Sequence, residues 1–381
     1  MNAVKIGMLG GGFMGKAHSN AFHSIPFMFY PRKFEIERTA VCCTTMERAR
    51  LAADRYGFQK AYDDYEKMLE DPDINVFDHA GPDPLHHPAV MKAVACGKHI
   101  YCEKPIAMTA AQAEEMYKAA DAAGLVHMAG FNYRFFPPNL LAHKLISEGA
   151  IGRIYHTRFL YDQPYGASDK LAAEDIWFNN EGRADGVGQA IGCHVIDLAR
   201  FLVGEIASLT GLSKIYKNER PSRNGGTVKM QGEEGSFALV NFQNGATGSI
   251  ESTQIASGMT NNLRWEIFGS KGSMAFTLER PSYLKVFLED TIVKEVAGFA
   301  EVSVTQSALG HPYADVWWPA GHVIGWEHGH IAALAHFFDC VANGASVSPL
   351  GGTLYDGYVA EKVLEAIKQS SEQGKRIEIT P

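Results

Sequence analysis

Several features are scarce in this chain, and each shortage excludes a class of role. No apolar run in its 381 residues approaches the roughly 20 needed to cross a bilayer, so no transmembrane helix is expected. Positive charge is in deficit: 35 Lys and Arg stand against 43 Asp and Glu, a formal charge of −8. Nucleic acid and anionic membranes are bound through clustered positive charge, so neither is an expected partner. The six cysteines (Cys42, Cys43, Cys96, Cys102, Cys193 and Cys340) form no Cys-x-x-Cys pair and mostly sit in apolar segments. Free thiols in a reducing cytoplasm fit them better than disulfides or a zinc site. No charged-then-apolar leader precedes Val4, so no signal peptide is expected, and there is no internal repeat or low-complexity segment. A chain of this length has room for two domains.

What is present begins with Val4-Lys5-Ile6-Gly7-Met8-Leu9, a buried-strand pattern running into Gly10-Gly11-Gly12-Phe13-Met14-Gly15. Gly-x-Gly-x-x-Gly between a strand and a helix is a dinucleotide fingerprint. Gly10 makes the tight turn, Gly12 lets a pyrophosphate approach, and Gly15 packs helix against strand. The helix is read over 16–22, followed by an aromatic, proline-bearing insertion at 23–31 and a strand over 37–43. Thr44 to Glu47 has capping-box spacing for a helix over 49–56. The strand end, where an NAD site usually places Asp or Glu on the ribose, carries Cys43, Thr44, Thr45 and Arg48. Hydroxyls and a guanidinium suit a 2′-phosphate, so the cofactor is NADP or NAD with the balance toward NADP; the alternative is that Thr44 only caps and Arg48 is solvated.

Strands at 75–80, 98–102 and 126–131 alternate with helices at 85–96 and 109–123, the second opened by a Thr109–Gln112 capping box. The alternation means a parallel sheet with right-handed crossovers. After Arg134 the rhythm changes. A helix over 139–148 and a strand over 153–161 lead to a helix over 195–202 and a run of antiparallel-type strands between 207 and 304, with closing helices at 329–341 and 356–370. The fold class is therefore α/β plus α+β: a Rossmann cofactor domain over 1–131 and an open, mostly antiparallel sheet domain over 132–381. An open sheet bearing large apolar residues hides one face on helices and the other on a partner subunit, which points to a homodimer or homotetramer.

The chain resembles the Gfo/Idh/MocA family of sugar and polyol oxidoreductases. The resemblance is carried by Gly10–Gly15, Pro82-Asp83-x-x-His86, Cys102-Glu103-Lys104-Pro105, Asn132-Tyr133-Arg134-Phe135, Gly192-Cys193-His194-x-x-Asp197 and Phe268-Gly269-Ser270-Lys271-Gly272. Trp317-Trp318-Pro319-Ala320-Gly321-His322, with Gly325-Trp326-Glu327-His328, is similar to the levoglucosan- and inositol-dehydrogenase branch. The resemblance implies a nicotinamide near Lys104, Lys104 and His194 acting on the reacting hydroxyl, and, in many members, a cis peptide before Pro105. Candidate cofactor contacts are Gly10, Gly12, Phe13, Met14, Gly15, Cys43, Thr44, Thr45, Arg48, Pro82, His86, Glu103 and Lys104. Candidate substrate contacts are Tyr133, Arg134, Tyr161, Asp162, Trp177, His194 and His322; the aromatics among them, with Trp326, offer ring faces to a sugar. The family's dehydrogenases carry Asp four residues before the His, where this chain has Ala190. Either a nearby carboxylate such as Asp162, Asp175 or Asp185 substitutes, Gln189 being turned away in a regular helix, or the chemistry differs from ordinary alcohol oxidation.

The chemistry these residues imply is oxidation of a secondary alcohol. A hydride leaves carbon while the hydroxyl proton passes to a group titrating near neutrality, for which an imidazole is suited. Lys104 would stabilise the developing alkoxide. Two other readings follow from the same residues: a glycoside hydrolase working by transient oxidation and elimination, and a cofactor-sensing regulator without catalysis. His86-His87 and His328-x-His330 have no matching Cys or carboxylate set, so no metal is expected.

Overall fold

The structure is a computed structural model that describes residues 3–31, 33–176, 186–291 and 297–379. Its chain divides into two compact units. The first comprises Met1–Phe135 with Gly325–Val359, and the second Phe136–Ile324 with Ala360–Pro381. A single boundary after residue 131 is expected from the sequence, whereas the first unit here also takes in 325–359.

The first unit is built on six parallel strands: β1 (Ala3–Leu9), β2 (Glu35–Cys42), β3 (Lys60–Tyr62), β4 (Val76–His79), β5 (His99–Cys102) and β6 (His127–Ala129). Their order is β3-β2-β1-β4-β5-β6, the doubly wound arrangement in which ligands bind outside the carboxyl ends of the strands. Val4, Ile6 and Met8 are fully buried. The helices are α1 (Phe13–Met28), α2 (Met46–Tyr56), α3 (Tyr65–Leu69), α4 (His86–Ala95) and α5 (Ala110–Ala122), and the unit also holds α8 (Trp326–Asn343), numbered by chain order after α6 (Pro137–Ser147) and α7 (Cys193–Val203) of the second unit.

Three local expectations are corrected. Residues 23–28 are not an insertion: α1 runs on through Pro26 to Met28. Pro26 forfeits one backbone donor near the helix end, while Phe22, which stacks at 5.7 Å on Phe338 of α8, and Ile25 are buried. That packing outweighs the lost bond. The cap of α2 is Thr45, whose Oγ1 accepts Arg48 N–H at 3.3 Å, so the capping position lies one residue later than the Thr44–Glu47 spacing suggested. Thr109 caps α5, but Gln112 Oε1 accepts from Met108 N–H at 3.2 Å rather than from the capping residue.

The second unit carries a nine-stranded sheet in the order β16-β15-β14-β13-β7-β12-β11-β8-β17. These strands are β7 (Ile154–Asp162), β8 (Ile206–Lys214), β11 (Gly235–Phe242), β12 (Thr247–Thr253), β13 (Asn262–Gly269), β14 (Gly272–Thr277), β15 (Tyr283–Leu288), β16 (Ala300–Ser303) and β17 (Ile377–Glu378); β9 (Glu219–Pro221) and β10 (Thr227–Lys229) form a separate hairpin. Only β7 and β12 pair in parallel; the other neighbours are antiparallel. Thr157, Phe159 and Tyr161 of β7 are buried beneath α6 and α7, and the intervening residues point to the other face. That face carries the exposed Arg158–Glu266 pair at 2.8 Å and Leu239, which is 67% exposed. Arg220 and Glu234 form a buried ion pair at 2.6 Å. The chain closes with α9 (Leu354–Gln373).

Candidate active site

In the first unit the candidate residues gather at the carboxyl end of the parallel sheet. Gly10 follows β1 at φ +107, and a Cβ there would stand 2.5 Å from Ala80 O. A Cβ at Gly15 would run into Gly10 O. At Gly12 it would meet nothing within 4 Å. The space at Gly12 leaves room for the close approach that a pyrophosphate requires. The first turn of α1 has no side-chain cap, unlike α2 and α5, which leaves its N–H groups for an anion. These features fit a dinucleotide. Phe13 is 71% exposed and stacks on Trp326 at 5.4 Å; Met14 beside it is half-buried.

At the end of β2, Cys43 is half-buried. Burial pushes its thiol up, against the Gly11 backbone and Arg48, which pull it down. Arg48 Nη1 donates to Thr44 Oγ1 at 3.2 Å, both exposed, while Thr45 is spent on its cap. Pro82 precedes the 3-10 turn Asp83–Leu85. His86 is fully buried, with Nδ1 2.6 Å from Pro105 O and Nε2 3.2 Å from Gly81 O, so it joins the loop after β4 to the loop after β5. Its ring polar atoms are used on protein carbonyls. It fixes the spacing of these two loops at the sheet edge.

Lys104 follows β5, half-buried, and the Lys104–Pro105 peptide is cis. Beneath it lies a buried charge network that the motifs did not reveal. His18 of α1 contacts Asp78 through Nδ1 (2.9 and 3.0 Å to its two oxygens) and Glu103 Oε1 through Nε2 (3.2 Å). Glu103 Oε2 accepts Lys104 N–H at 3.3 Å. Burial alone pushes His18 down, yet the charges and hydrogen bonds of Asp78 and Glu103 raise it to about 10. Burial alone pushes Glu103 up, yet His18, with His330 and Lys104, lowers it to about 2. His330 of α8 stands with its ring 5.8 Å from that of His18 and 4.3 Å from Trp326. Burial, with His18 and Lys104, holds it down at about 3 against the pull of Glu103. Trp326, read from sequence as a sugar platform, belongs to this unit. So do Tyr133 and Arg134, both buried in the 3-10 turn Asn132–Phe135, where Arg134 pairs with Asp356 at 3.2 Å.

The second unit contains His194. It sits on α7, 7% exposed, with its ring 6.2 Å from that of Tyr161. Tyr161 donates to Asn261 Oδ1 at 2.8 Å, which also accepts Gln163 Nε2 at 2.6 Å; Gln254 Nε2 donates to Gln163 Oε1 at 2.8 Å. This amide chain is a polar wall that the sequence reading did not single out. Asp162 does not join it. One residue after Tyr161 on a strand, it points to the opposite face, toward Glu251 and Arg264. Burial first, then Glu251, raises its carboxyl to about 6 despite Arg264. Asp175 is paired with Arg223. Neither takes the place of a carboxylate at Ala190, and Asp185 and Trp177 lie outside the described residues. His322 is exposed and bonded through Nδ1 to Pro319 O at 2.7 Å in its own loop.

The turn before His194 is also not a regular α-helix. Gly188–Gly192 is a π-turn, closed by Cys193 N–H on Gly188 O, a device frequent at functional sites. Four-residue spacing does not define a helical face there. Gln189 is buried and donates to Glu361 Oε2 at 2.9 Å, so α9 brings a buried carboxylate to this turn.

Residues 4–131 match a family described as oxidoreductase family, NAD-binding Rossmann fold, and residues 140–275 match the Gfo/Idh/MocA C-terminal domain. The chain belongs to the Gfo/Idh/MocA oxidoreductase family. Within it, a levoglucosan dehydrogenase of Pseudarthrobacter phenanthrenivorans is 36% identical over 394 residues, covering 100% of this chain and 99% of that one. The solved complex of a levoglucosan dehydrogenase with NADH and levoglucosan has a TM-score of 0.94 at 36% identity, covering 100% of both chains. The scyllo-inositol 2-dehydrogenase (NAD(+)) of Bacillus subtilis is 26% identical over 299 residues, 78% of this chain and 76% of that one. As a family member this chain is an NAD(P)-dependent dehydrogenase. No helix among the described residues is long and apolar enough to cross a membrane.

Proposed function

We propose that the protein oxidises a secondary hydroxyl of a sugar, anhydrosugar or cyclic polyol to the ketone, with levoglucosan the first substrate to try. The observation that carries this reading is the pairing of an open Gly12 position and an uncapped α1 with Lys104 at the same sheet edge. Gly12 and the first turn of α1 would hold the dinucleotide, which when bound would supply the hydride acceptor. Lys104 donates a hydrogen bond to the hydroxyl oxygen and stabilises the negative charge that develops on it. His194 takes the hydroxyl proton. Tyr161, held by Asn261, presents ring and hydroxyl to the substrate. His322, Tyr133, Arg134 and Trp177 complete the set of proposed substrate residues. The glycosidase and regulator readings find no support among the relatives, which are named as dehydrogenases.

For the cofactor, Thr44 and Arg48 present a hydroxyl and a guanidinium at the end of β2, an arrangement suited to a 2′-phosphate, so NADP is accepted at least as well as NAD. The open face of the second unit's sheet, with exposed Leu239, forms a homodimer or homotetramer. The six free cysteines suit a cytoplasmic setting. The test is a screen of sugars, anhydrosugars and polyols with each cofactor, following absorbance of the reduced nicotinamide. Net reduction with a free polyol or anhydrosugar is expected. Release of a chromogenic aglycone without net reduction would contradict the proposal, and a higher kcat/KM with NAD would refute the NADP preference.

A further inference from the structure

The buried network below Lys104 is built from four elements far apart in the chain. Each ring nitrogen of His18 faces a carboxyl oxygen, Asp78 Oδ1 at 2.9 Å and Glu103 Oε1 at 3.2 Å. Carboxylates accept but do not donate, and an imidazolium offers a proton to each of them, the form that the raising of His18 to about 10 favours at neutral pH. The Nε2 bond holds Glu103 from one side, while the Nδ1 bond anchors the ring to Asp78. On the other, Glu103 accepts the backbone N–H of Lys104, and its own N–H donates to His79 O at 3.0 Å. Gly130 leaves room for it: a Cβ there would stand 2.6 Å from Glu103 Oε1. His18 lies in the same helix as the phosphate-binding turn, so the clamp ties the lysine loop to the cofactor bed.

We propose that His18 is a positioning residue for the dehydrogenase chemistry: clamped between Asp78 and Glu103, it fixes the Glu103 carboxylate behind Lys104 and so sets the peptide from which Lys104 projects. This rests on the reading that Lys104 acts on the reacting hydroxyl. The titratable groups around Glu103 are His18 from α1, Asp78 from β4, Tyr101, Cys102 and Lys104 on β5 and after it, and His330 from α8. Of these, His18 makes the side-chain hydrogen bond that lowers Glu103. Without it, burial pushes Glu103 up against the weaker pull of His330 and Lys104. The three ligand atoms of His18, Glu103 and His330 lie within 4.8 Å of one another, but a metal there would have to displace the Nε2 proton that already bonds Glu103.

Two measurements need no substrate. In 15N-histidine NMR of the cofactor-free protein, His18 is expected to stay an imidazolium at neutral pH; a neutral ring overturns the proposal. In site-resolved amine labelling read by mass spectrometry, His18→Gln is expected to change the Lys104 rate and leave exposed Lys118 alone; an unchanged Lys104 rate in the folded variant overturns it. The kinetic measurement uses the best substrate of the screen. His18→Gln is expected to lose roughly ten- to hundredfold in kcat and to gain an acid limb absent from wild type. That limb should vanish in His18→Gln/Glu103→Gln. A pH profile parallel to wild type contradicts the proposal, as does a stoichiometric bound metal lost with His18. Should His18→Gln not fold, Asp78→Asn removes the outer half of the clamp and is expected to shift the Lys104 labelling in the same direction. If no substrate is found, the functional proposal fails while NMR and labelling still decide the role of His18.

Discussion

Gly12→Ala separates the cofactor bed from the fold. The new methyl meets no protein atom within 4 Å, and the backbone at φ −81 is open to any residue. The only cost to the empty protein is the exchange of glycine for alanine at a helix N-cap, under about 1 kcal/mol. The same methyl occupies the place where a pyrophosphate must approach. Pushing the phosphates back from the uncapped N–H groups of α1 should weaken the dinucleotide roughly ten- to hundredfold, about 1.4 to 2.7 kcal/mol. Gly10→Ala is the contrast: at φ +107, with Ala80 O at 2.5 Å from the new carbon, it should cost about 1–3 kcal/mol in backbone strain alone. The assay is paired: thermal unfolding of the cofactor-free proteins, and Kd for the dinucleotide by calorimetry. Gly12→Ala with wild-type stability and wild-type affinity would refute the placement of the phosphates. A large loss of stability in Gly12→Ala would refute the reading of open space.

Other outcomes follow from the second unit and from β2. The Asp162 carboxyl, raised to about 6 from an ordinary 3.8, binds its proton more tightly folded than unfolded. It therefore costs no stability below about pH 4, and the cost grows to its full value above about pH 6. Asp162→Asn should match wild type in melting temperature near pH 4 and exceed it near pH 7; a constant difference across that range would contradict the assignment. Arg220→Met removes the cationic partner of the buried Glu234, leaving its carboxylate on the Tyr216 and Lys217 N–H groups, and should cost about 3–5 kcal/mol by urea unfolding, whereas a loss below about 1 kcal/mol would mean that those backbone donors hold the charge without Arg220. Thr45→Ala should lower stability by about 1 kcal/mol through loss of the α2 cap, while Thr44→Ala should leave stability alone and raise KM for NADP more than for NAD. The reverse assignment would place the cap at Thr44.

How much of this was legible in the sequence depended on whether a feature is local. The strand before Gly10, the glycine spacing and the strand–helix rhythm through 131 are short-range patterns, and the parallel sheet follows them. Two adjacent threonines with Glu47 behind them fit a cap in either register, and spacing alone could not choose Thr45. Pro26 marked the end of α1 only until burial of Phe22 and Ile25 is considered. The face of Asp162 was within reach, since a strand that turns Tyr161 inward turns its neighbour outward. His18 was not: its partners lie 60 and 85 residues away, and nothing in Gly15-Lys16-Ala17-His18 announces them. The π-turn at Gly188–Gly192 was likewise hidden, which left Ala190 as a gap and Glu361 unnoticed.

The central claim is that Lys104 acts on the hydroxyl of a sugar or polyol while the cofactor bed stands independently of it. The most direct measurement is steady-state reduction of NAD(P) by Lys104→Met and by His194→Ala, with dinucleotide Kd determined on the same samples. Loss of turnover by roughly a hundred- to ten-thousandfold with Kd within about threefold of wild type is the predicted result. Near-normal turnover in either variant would contradict it.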